Sequence, residues 1–584
     1  MASRTLHRAV VVLSALVPFS ARAQGAQTEP DDPEVLVVEG QQLGKLKEES
    51  AQAVLVIDTT RDQQKSIDLG EILARNQGIS VQRSGGLGSD TRFSLNGLTD
   101  DQIRFFLDGI PLDLAGFGFG IANVPVNLVD RVEVYRGVVP IEFGADALGG
   151  AVNLVSSYAD GNTGSASYQI GSFGTQRITS DVQVVDDSRD LFFRANGFHD
   201  STNNDYRVDV EVPDDRGRPS SQEIERFHDG YVAWGANAEL GLAERNWAER
   251  LSVRGFVSGA DRDVQHNVVM TVPYGEVQSF ERTAGVTLNY LQPLSDNVDI
   301  GLVAGYTWQR NRFQDLGACI YTWLGECSAA ATTPGEIGSP DDRVLWDNSF
   351  YARLNAKAFL VEGHTVSLSL SPTLSDRDGE ERLLDDPDLR DPLSADQRLS
   401  NVVAGAEYAS EFFSRRLQNV FFVKGYVQAA RVEEPIPGGN FVRRDRDTER
   451  FGLGNSLRFQ VTDQLLVKGS YEFATRLPRL EEVFGNGVLI QPNLELAPEV
   501  SHNVNIGAAI RWPGSAGELT GELNTFLRDS RDLIVLLGTD QVLNFENVFG
   551  ARSIGVEGSV QWVSPGGHLT LGGNGTYFDL RRSK

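Results

Sequence analysis

The run DRVEVYRGVVPIEFGADALGGAVNLV, Asp130 to Val155, begins as a strand: Val132, Val134 and Val138 alternate with polar or charged neighbours. Arg136-Gly137 then turns the chain, Gly144 follows, and Gly149-Gly150 precedes a second apolar run from Ala151 to Val155. Glycines so placed serve tight turns and close backbone approach, because they lack the Cβ that forbids positive φ. The stretch therefore closes a compact, sheet-containing unit near residue 155.

Around it lies a chain of 584 residues with 60 glycines, 2 cysteines, 2 methionines and a formal net charge of −27. That length implies at least two units. The acidic balance argues against nucleic acid, whose binding rests on Lys and Arg neutralising phosphates, and suits a solvated exported surface. Residues 1–23 have the form of a signal peptide: Arg4, His7 and Arg8, a short apolar core from Ala9 to Phe19, then Ala21-Arg22-Ala23 as a cleavage site. No segment approaches the roughly 20 apolar residues a membrane helix needs. The protein is expected to be exported and, if it spans a membrane, to do so without helices.

Residues 24–33 are polar and proline-containing and read as disordered. Glu34-Val35-Leu36-Val37-Val38-Glu39-Gly40 is a short β-prone island, either an edge strand or an extended peptide offered to a partner's sheet. Residues 50–157 read as a small mixed α/β unit. Val54 to Ile57 is a strand, Ser66 to Asn76 a helix with Gly78 as its cap, Thr91 to Gly97 and Ile103 to Leu107 further strands, and Asp108-Gly109 a tight turn.

From Ser165 to the end the texture is different. About 17 alternating segments recur without an amphipathic helix between them. They begin at Ser165 to Ile170, Gln176 to Val185 and Leu191 to Phe198, and finish at Leu519 to Leu527, Ser553 to Val563 and Leu569 to Tyr577. Short links such as Asp186-Asp187-Ser188 and Trp512-Pro513-Gly514 alternate with long polar ones, for example 200–223, 312–345 and 475–500. Short turns at one end and long loops at the other mark an all-β antiparallel transmembrane barrel; a soluble sandwich or propeller would not show this asymmetry. The count is odd, and no apolar strand ending in an aromatic residue closes the sequence. A single-chain barrel needs an even count and a closed seam, so the last strands are expected to be missing.

Signal peptide, apolar box, glycine-rich unit and strand-rich region together resemble the TonB-dependent outer-membrane receptors. Arg136-Gly137, Phe143-Gly144, Gly149-Gly150 and Val152-Asn153 are similar to that family's plug signature, with Pro140 departing from its usual place. Glu34 to Gly40 resembles a TonB box. Arg476-Leu477-Pro478 through Glu482 to Pro492-Asn493-Leu494, and Asn547 through Arg552 to Glu557, resemble two late barrel signatures. The resemblance implies four regions: a signal peptide (1–23), a periplasmic segment carrying the box (24–49, box 34–40), a plug (50–157) and a barrel (165–584). The barrel would hold about 17 of about 22 strands.

By the same resemblance, TonB, with ExbB and ExbD in the inner membrane, would pair with Glu34, Val35, Leu36, Val37 and Val38 and pull on the plug. Arg92 and Arg136 would face barrel carboxylates Glu482 and Glu557 as a latch. The implied cargo is a small molecule, a ferric siderophore first, with cobalamin, another metal chelate or an oligosaccharide as alternatives. Haem is disfavoured because no histidine lies between Arg476 and Leu494. A monomer in outer-membrane lipid is expected, with no cofactor, no resident metal and no nucleic acid. An adhesin or phage receptor remains a competing class; an enzyme is not expected, since no nucleophile–base set or G-x-S-x-G elbow occurs.

Two loops add detail. Cys319 and Cys327, in CIYTWLGEC, are expected to form a disulfide in an oxidising compartment. Tyr321 and Trp323 between them are exposed aromatics, either touching ligand or lying at the lipid interface. The acidic loop Ser375 to Asp396 is either a solvated charged loop or a cation site.

Overall fold

A computed structural model describes residues 47–583 apart from 61, 64–67, 119, 157–160, 187, 214–217, 268–269, 385–389, 437–439 and 540–541. The signal peptide and the box at residues 34–40 lie outside the described residues.

The N-terminal unit is built on a five-stranded sheet. Its order is Val54–Asp58, Val129–Arg136, Gly150–Ser156, Arg104–Leu107 and Ile110–Pro111. Val132, Val134, Val152 and Leu154 place their side chains in a core shared with Leu69, Ile72 and Leu73 of the helix Leu69–Ala74. Asp68 caps that helix by accepting from the Glu71 amide at 2.9 Å. The helix ends before the expected Gly78, because the Asn76 side chain bonds the Ile72 carbonyl and the Asn76 amide bonds that of Leu73. Asp108 and Gly109, both at positive φ, make the expected turn between Leu107 and Ile110.

Among the described residues, seventeen strands form a ring around this unit, from Thr163–Ile170 to Thr570–Ser583. They fall on the alternating segments of the sequence in the same order. Antiparallel ladders join each ring strand to the next along the chain, with register shifts at Pro293/Ser295 and Phe359/Val361; the first and last strands meet in the ring without such a ladder among the described residues.

Alternation sorts the side chains. Val253, Val257, Val286, Phe350, Leu354, Leu368 and Leu370 are exposed on the outside, where lipid supplies an apolar solvent. Ser252, Ser258, Thr283, Thr287 and Thr307 are buried on the inside, where Ser258 and Thr307 reach the plug.

Several strands are longer than the sequence pattern suggests. Asp341–Val361 and Asn440–Gln460 each run for 21 residues. Their ends carry charged pairs rather than an apolar face, so hydrogen-bonded ladders continue past the point where hydrophobic alternation stops. The polar loops also contain sheets of their own, such as the hairpin Arg207–Pro213 with Pro219–Glu225.

Candidate functional site: the plug–barrel latch

Arg136 ends the strand Val129–Arg136, and its own amide is held by the Ala53 carbonyl at 2.8 Å. Its side chain leaves the plug and enters the barrel wall. Nη1 donates to Glu557 Oε1 and Nη2 to Glu522 Oε1, each at 2.5 Å. Arg136 is 3% exposed and Glu557 2%, so both charges are removed from water and each depends on the other. Glu522 is also bonded by Asn524 at 2.5 Å and by Gln77 of the plug at 3.1 Å. Two polar groups thus hold this carboxylate in place for the arginine.

The glycines of the opening stretch make room for this approach. Gly137 adopts φ +108°, and a Cβ there would run into Asn505 of the wall. Gly144, at φ +57°, ends the turn Ile141–Phe143 where a Cβ would strike Ser371. Phe143 packs on Phe106 and Tyr135 with ring centroids 5.1 and 5.2 Å apart. Gly149 and Gly150 lie under Leu98 and Leu95. Asn153 accepts from the Gly109 amide at 2.9 Å and donates to Glu133 at 3.3 Å. Burial alone would push the Glu133 carboxyl up, but Lys47 and Arg131 hold it below the usual carboxylate range.

Further polar bonds surround the latch. Lys424 donates to the Val139 carbonyl at 2.8 Å and to Glu472 at 2.9 Å. Asn503 reaches the Leu148 carbonyl, Thr307 that of Leu114, and Ser258 that of Gly116. Asp146, gripped by Nε and Nη2 of Arg104, accepts from the Leu477 amide at 2.9 Å.

The expected partnership of Arg92 with Glu482 does not form. Arg92 is exposed on the strand Thr91–Leu95, whose alternate residues Phe93 and Leu95 take the buried side, and it makes no ion pair among the described residues. Glu482 lies in the short helix Leu480–Phe484 and bends back to accept from the Arg479 amide at 2.7 Å. That turn aims its carboxylate at Arg476, whose two amino nitrogens lie 2.9 and 3.0 Å away; Glu499 holds the third nitrogen. The Arg476–Glu482–Glu499 cluster is internal to the barrel and folds its own loop.

Glu522 was not anticipated. The available signal was parity: it shares with Asn524 and Arg528 the inward face of the strand Gly517–Arg531, where a charge needs a partner.

In the outer loops, Cys319 and Cys327 are bonded, with Cα atoms 5.4 Å apart. Trp323 is not exposed as expected. It is buried among Val210, Ile224 and Met270 of the neighbouring loops, because the disulfide-closed turn folds it onto the hairpin described above. Tyr321 is half-buried, stacks on Phe227 and donates to Glu276 at 2.8 Å. That hydrogen bond, first among the causes, pushes its hydroxyl up to about 12.

The acidic segment is strand only from Ser375 to Glu381, and several of its described carboxylates have partners. Asp376 meets Arg398, Glu381 meets Arg343, and Asp391 caps the turn Pro392–Ser394. Among the described residues, no group of His, Cys, Asp or Glu has the geometry of a metal site.

A plug sheet is thus tied by ion pairs into an enclosing barrel. The chain belongs to the TonB-dependent receptor family: the description TonB-dependent Receptor Plug Domain matches residues 46–151, and TonB dependent receptor-like, beta-barrel, matches residues 144–583. It is 28% identical over 158 residues to the vitamin B12 transporter BtuB of Vibrio vulnificus (strain CMCP6), covering 27% of this chain and 26% of that one. The match thus spans about a quarter of that relative.

Among solved structures, the copper transporter OprC is similar with a TM-score of 0.70 at 14% identity, over 91% of this chain and 81% of that one. The ferric yersiniabactin uptake receptor FyuA of Yersinia pestis follows at 0.64 and 14%, over 91% and 79%. The ferric enterobactin receptor PfeA of Pseudomonas aeruginosa gives 0.64 and 17%, over 91% and 81%. At these identities the likeness concerns the fold. The family and these neighbours are receptors and transporters rather than enzymes.

Proposed function

We propose that this protein carries a ferric siderophore across the outer membrane, using force delivered by TonB with ExbB and ExbD. The carrying observation is the plug sheet seated in the barrel and pinned by Arg136 to Glu522 and Glu557. A scarce chelate cannot be concentrated through such a pore by diffusion. Separating a buried ion pair costs several kcal/mol on one side alone, so opening requires work from outside. The chain has no G-x-x-x-x-G-K-[ST] run to draw that work from a nucleotide. Residues Glu34 to Val38 are the segment that would add to TonB as a strand, with main-chain hydrogen bonds as the grip.

The siderophore reading is supported by neighbours described as siderophore receptors and as receptors for ferric yersiniabactin and ferric enterobactin. Cobalamin is the second reading, favoured by the similarity to BtuB. Copper, the cargo in OprC's description, suits this chain less, since only Met1 and Met270 could offer the thioethers a soft ion prefers.

The test is uptake in a deletion strain supplied with single ferric siderophores or with cobalamin. Loss of uptake for one ferric chelate, restored by the gene but not by a version lacking residues 34–40, supports the proposal. Unchanged uptake of every ferric chelate overturns it, and a loss confined to cobalamin selects the second reading. An adhesin or phage receptor would work equally well without residues 34–40.

A further inference from the structure

The lumen side of the strand Val298–Asp315 is fixed by its bonds to the plug: Thr307 donates to the Leu114 carbonyl and Gln309 to that of Asp113. Alternation therefore turns Tyr306, Trp308, Arg310 and Arg312 to the outside. On one neighbour, Gln278–Ser295, Glu281 approaches Gly118 of the plug, which turns Arg282 outward. On the other, Asp341–Val361, Arg353 reaches the Gly109 carbonyl, which turns Trp346 and Phe350 outward.

Registers align Val286, Tyr306 and Phe350 at one level, Ala284, Trp308 and Asn348 at the next, and Arg282, Arg310 and Trp346 at the third. Tyr306 and Phe350 touch, with ring centroids 4.7 Å apart. Two residues advance a strand by about 7 Å. Arg310 thus stands one step above Trp308 and two above the aromatic pair, on the side of the long loop 316–340. That is headgroup height, directly over an aromatic band.

The charge at that level is not balanced. Elsewhere on the outer face, arginines have carboxylates: Arg398 has Asp376 and Arg431 has Asp447. Within the cluster, Arg312 is held by both oxygens of Asp342 at 2.7 Å, Arg282 by Asp261 at 2.5 Å, and Arg382 loosely by Glu380 at 3.6 Å. Arg310 makes no ion pair or hydrogen bond among the described residues; Arg282 stands opposite it in the ladder, Arg312 follows two residues on, and the nearby Asp342 is already held by Arg312. A guanidinium set opposite one arginine and two residues from another, with the neighbouring carboxylates already engaged, is a poor arrangement unless a further anion sits between them.

We propose that Arg310, with Arg282 and Arg382 beside it, binds a phosphate of a phosphorylated glycolipid in the outer leaflet. The guanidinium fork matches phosphate oxygens in pairs, and the aromatic step below receives the first acyl carbons. The contact anchors the barrel in its lipid at a fixed height. It is independent of which cargo the pore carries.

Native mass spectrometry of the full purified chain with added lipid A tests this, using diphosphorylated lipid A and its enzymatically dephosphorylated form as probes. R310Q is expected to retain the phosphorylated lipid about fivefold less well, from the usual worth of one arginine at a lipid surface. R398Q, which removes an already paired arginine from the same face, is expected to bind as the wild type does. Dephosphorylated lipid should bind weakly and equally to all three. The heat-dependent gel shift of a folded barrel checks each variant; if R310Q misfolds, R310K, which keeps the charge and loses the fork, is read instead and should bind less well than wild type. Wild-type retention by R310Q, or by R310K where it replaces R310Q, equal binding of the two lipid forms by the wild type, or an equal loss in R398Q would each overturn the proposal.

Discussion

Replacing Arg136 by glutamine leaves Glu522 and Glu557 facing the same space with no cation between them. Arg136 is 3% exposed and donates to both at 2.5 Å, so its removal is the case in which one partner of a buried pair is lost. Such losses cost about 3–5 kcal/mol. If the pair pins the plug, local opening of the strand Val129–Arg136 becomes easier by that amount. Amide exchange there, read by mass spectrometry on the intact receptor, should accelerate about a hundredfold to several thousandfold. Exchange in the barrel strand Leu465–Arg476 should not change. Removing the charges on both sides, in R136M/E522Q/E557Q, takes away the unpaired carboxylates as well and should return exchange to within about tenfold of wild type. Unchanged exchange in R136Q would refute the reasoning. So would a triple variant as fast as the single one, because the cost would then lie in packing rather than in the charge pair.

Other outcomes follow from the same structure. R476M should loosen the loop 477–498 to limited proteolysis by stranding Glu482 and Glu499, whereas R92Q should leave plug exchange unaltered because Arg92 is exposed. Reducing Cys319–Cys327 removes a constraint worth about 2.5 kcal/mol for so short a loop. It should shift tryptophan emission to the red as Trp323 leaves Val210 and Ile224, and W323F should abolish the shift. Burial pushes the Asp229 carboxyl up to about 6 against the pull of Arg226 and Arg262. An acid raised in the folded state is penalised at pH above 6 and relieved as pH falls toward its ordinary value near 3.8. The loop around it should therefore resist tryptic cleavage at Arg226 better at pH 5 than at pH 7.5, and D229N should remove that difference.

The barrel was legible because two solvents write on alternate residues of each strand. Lipid outside and polar plug inside impose period two from Ser165 onward, and that signal weakens only where strands rise beyond the lipid. It is silent at Asn440 to Glu449, where ladder hydrogen bonds continue between charged side chains. The plug signature was legible through its glycines, whose positions answer to the wall they face. Pairings across that wall were not. Arg136 could be matched to Glu557 by resemblance, but Glu522 requires knowing which strand stands beside it. Glu482 was misassigned because a carboxylate three residues from a helix start can serve its own backbone. Trp323 looked exposed since nothing in CIYTWLGEC reveals that a distant hairpin covers it.

The edge position of Val54–Asp58 in the plug sheet decides how tension would travel. This strand pairs only with Val129–Arg136 within the sheet, and its first residues, Val54 and Leu55, lie opposite Tyr135 and Val134. A pull arriving from the N-terminus meets the bond between the Arg136 amide and the Ala53 carbonyl before any other rung of that ladder. The rungs then break in succession, as in a zip, instead of resisting together as in a lap joint. The first rung of that ladder and the electrostatic pin of the plug therefore share one residue, Arg136.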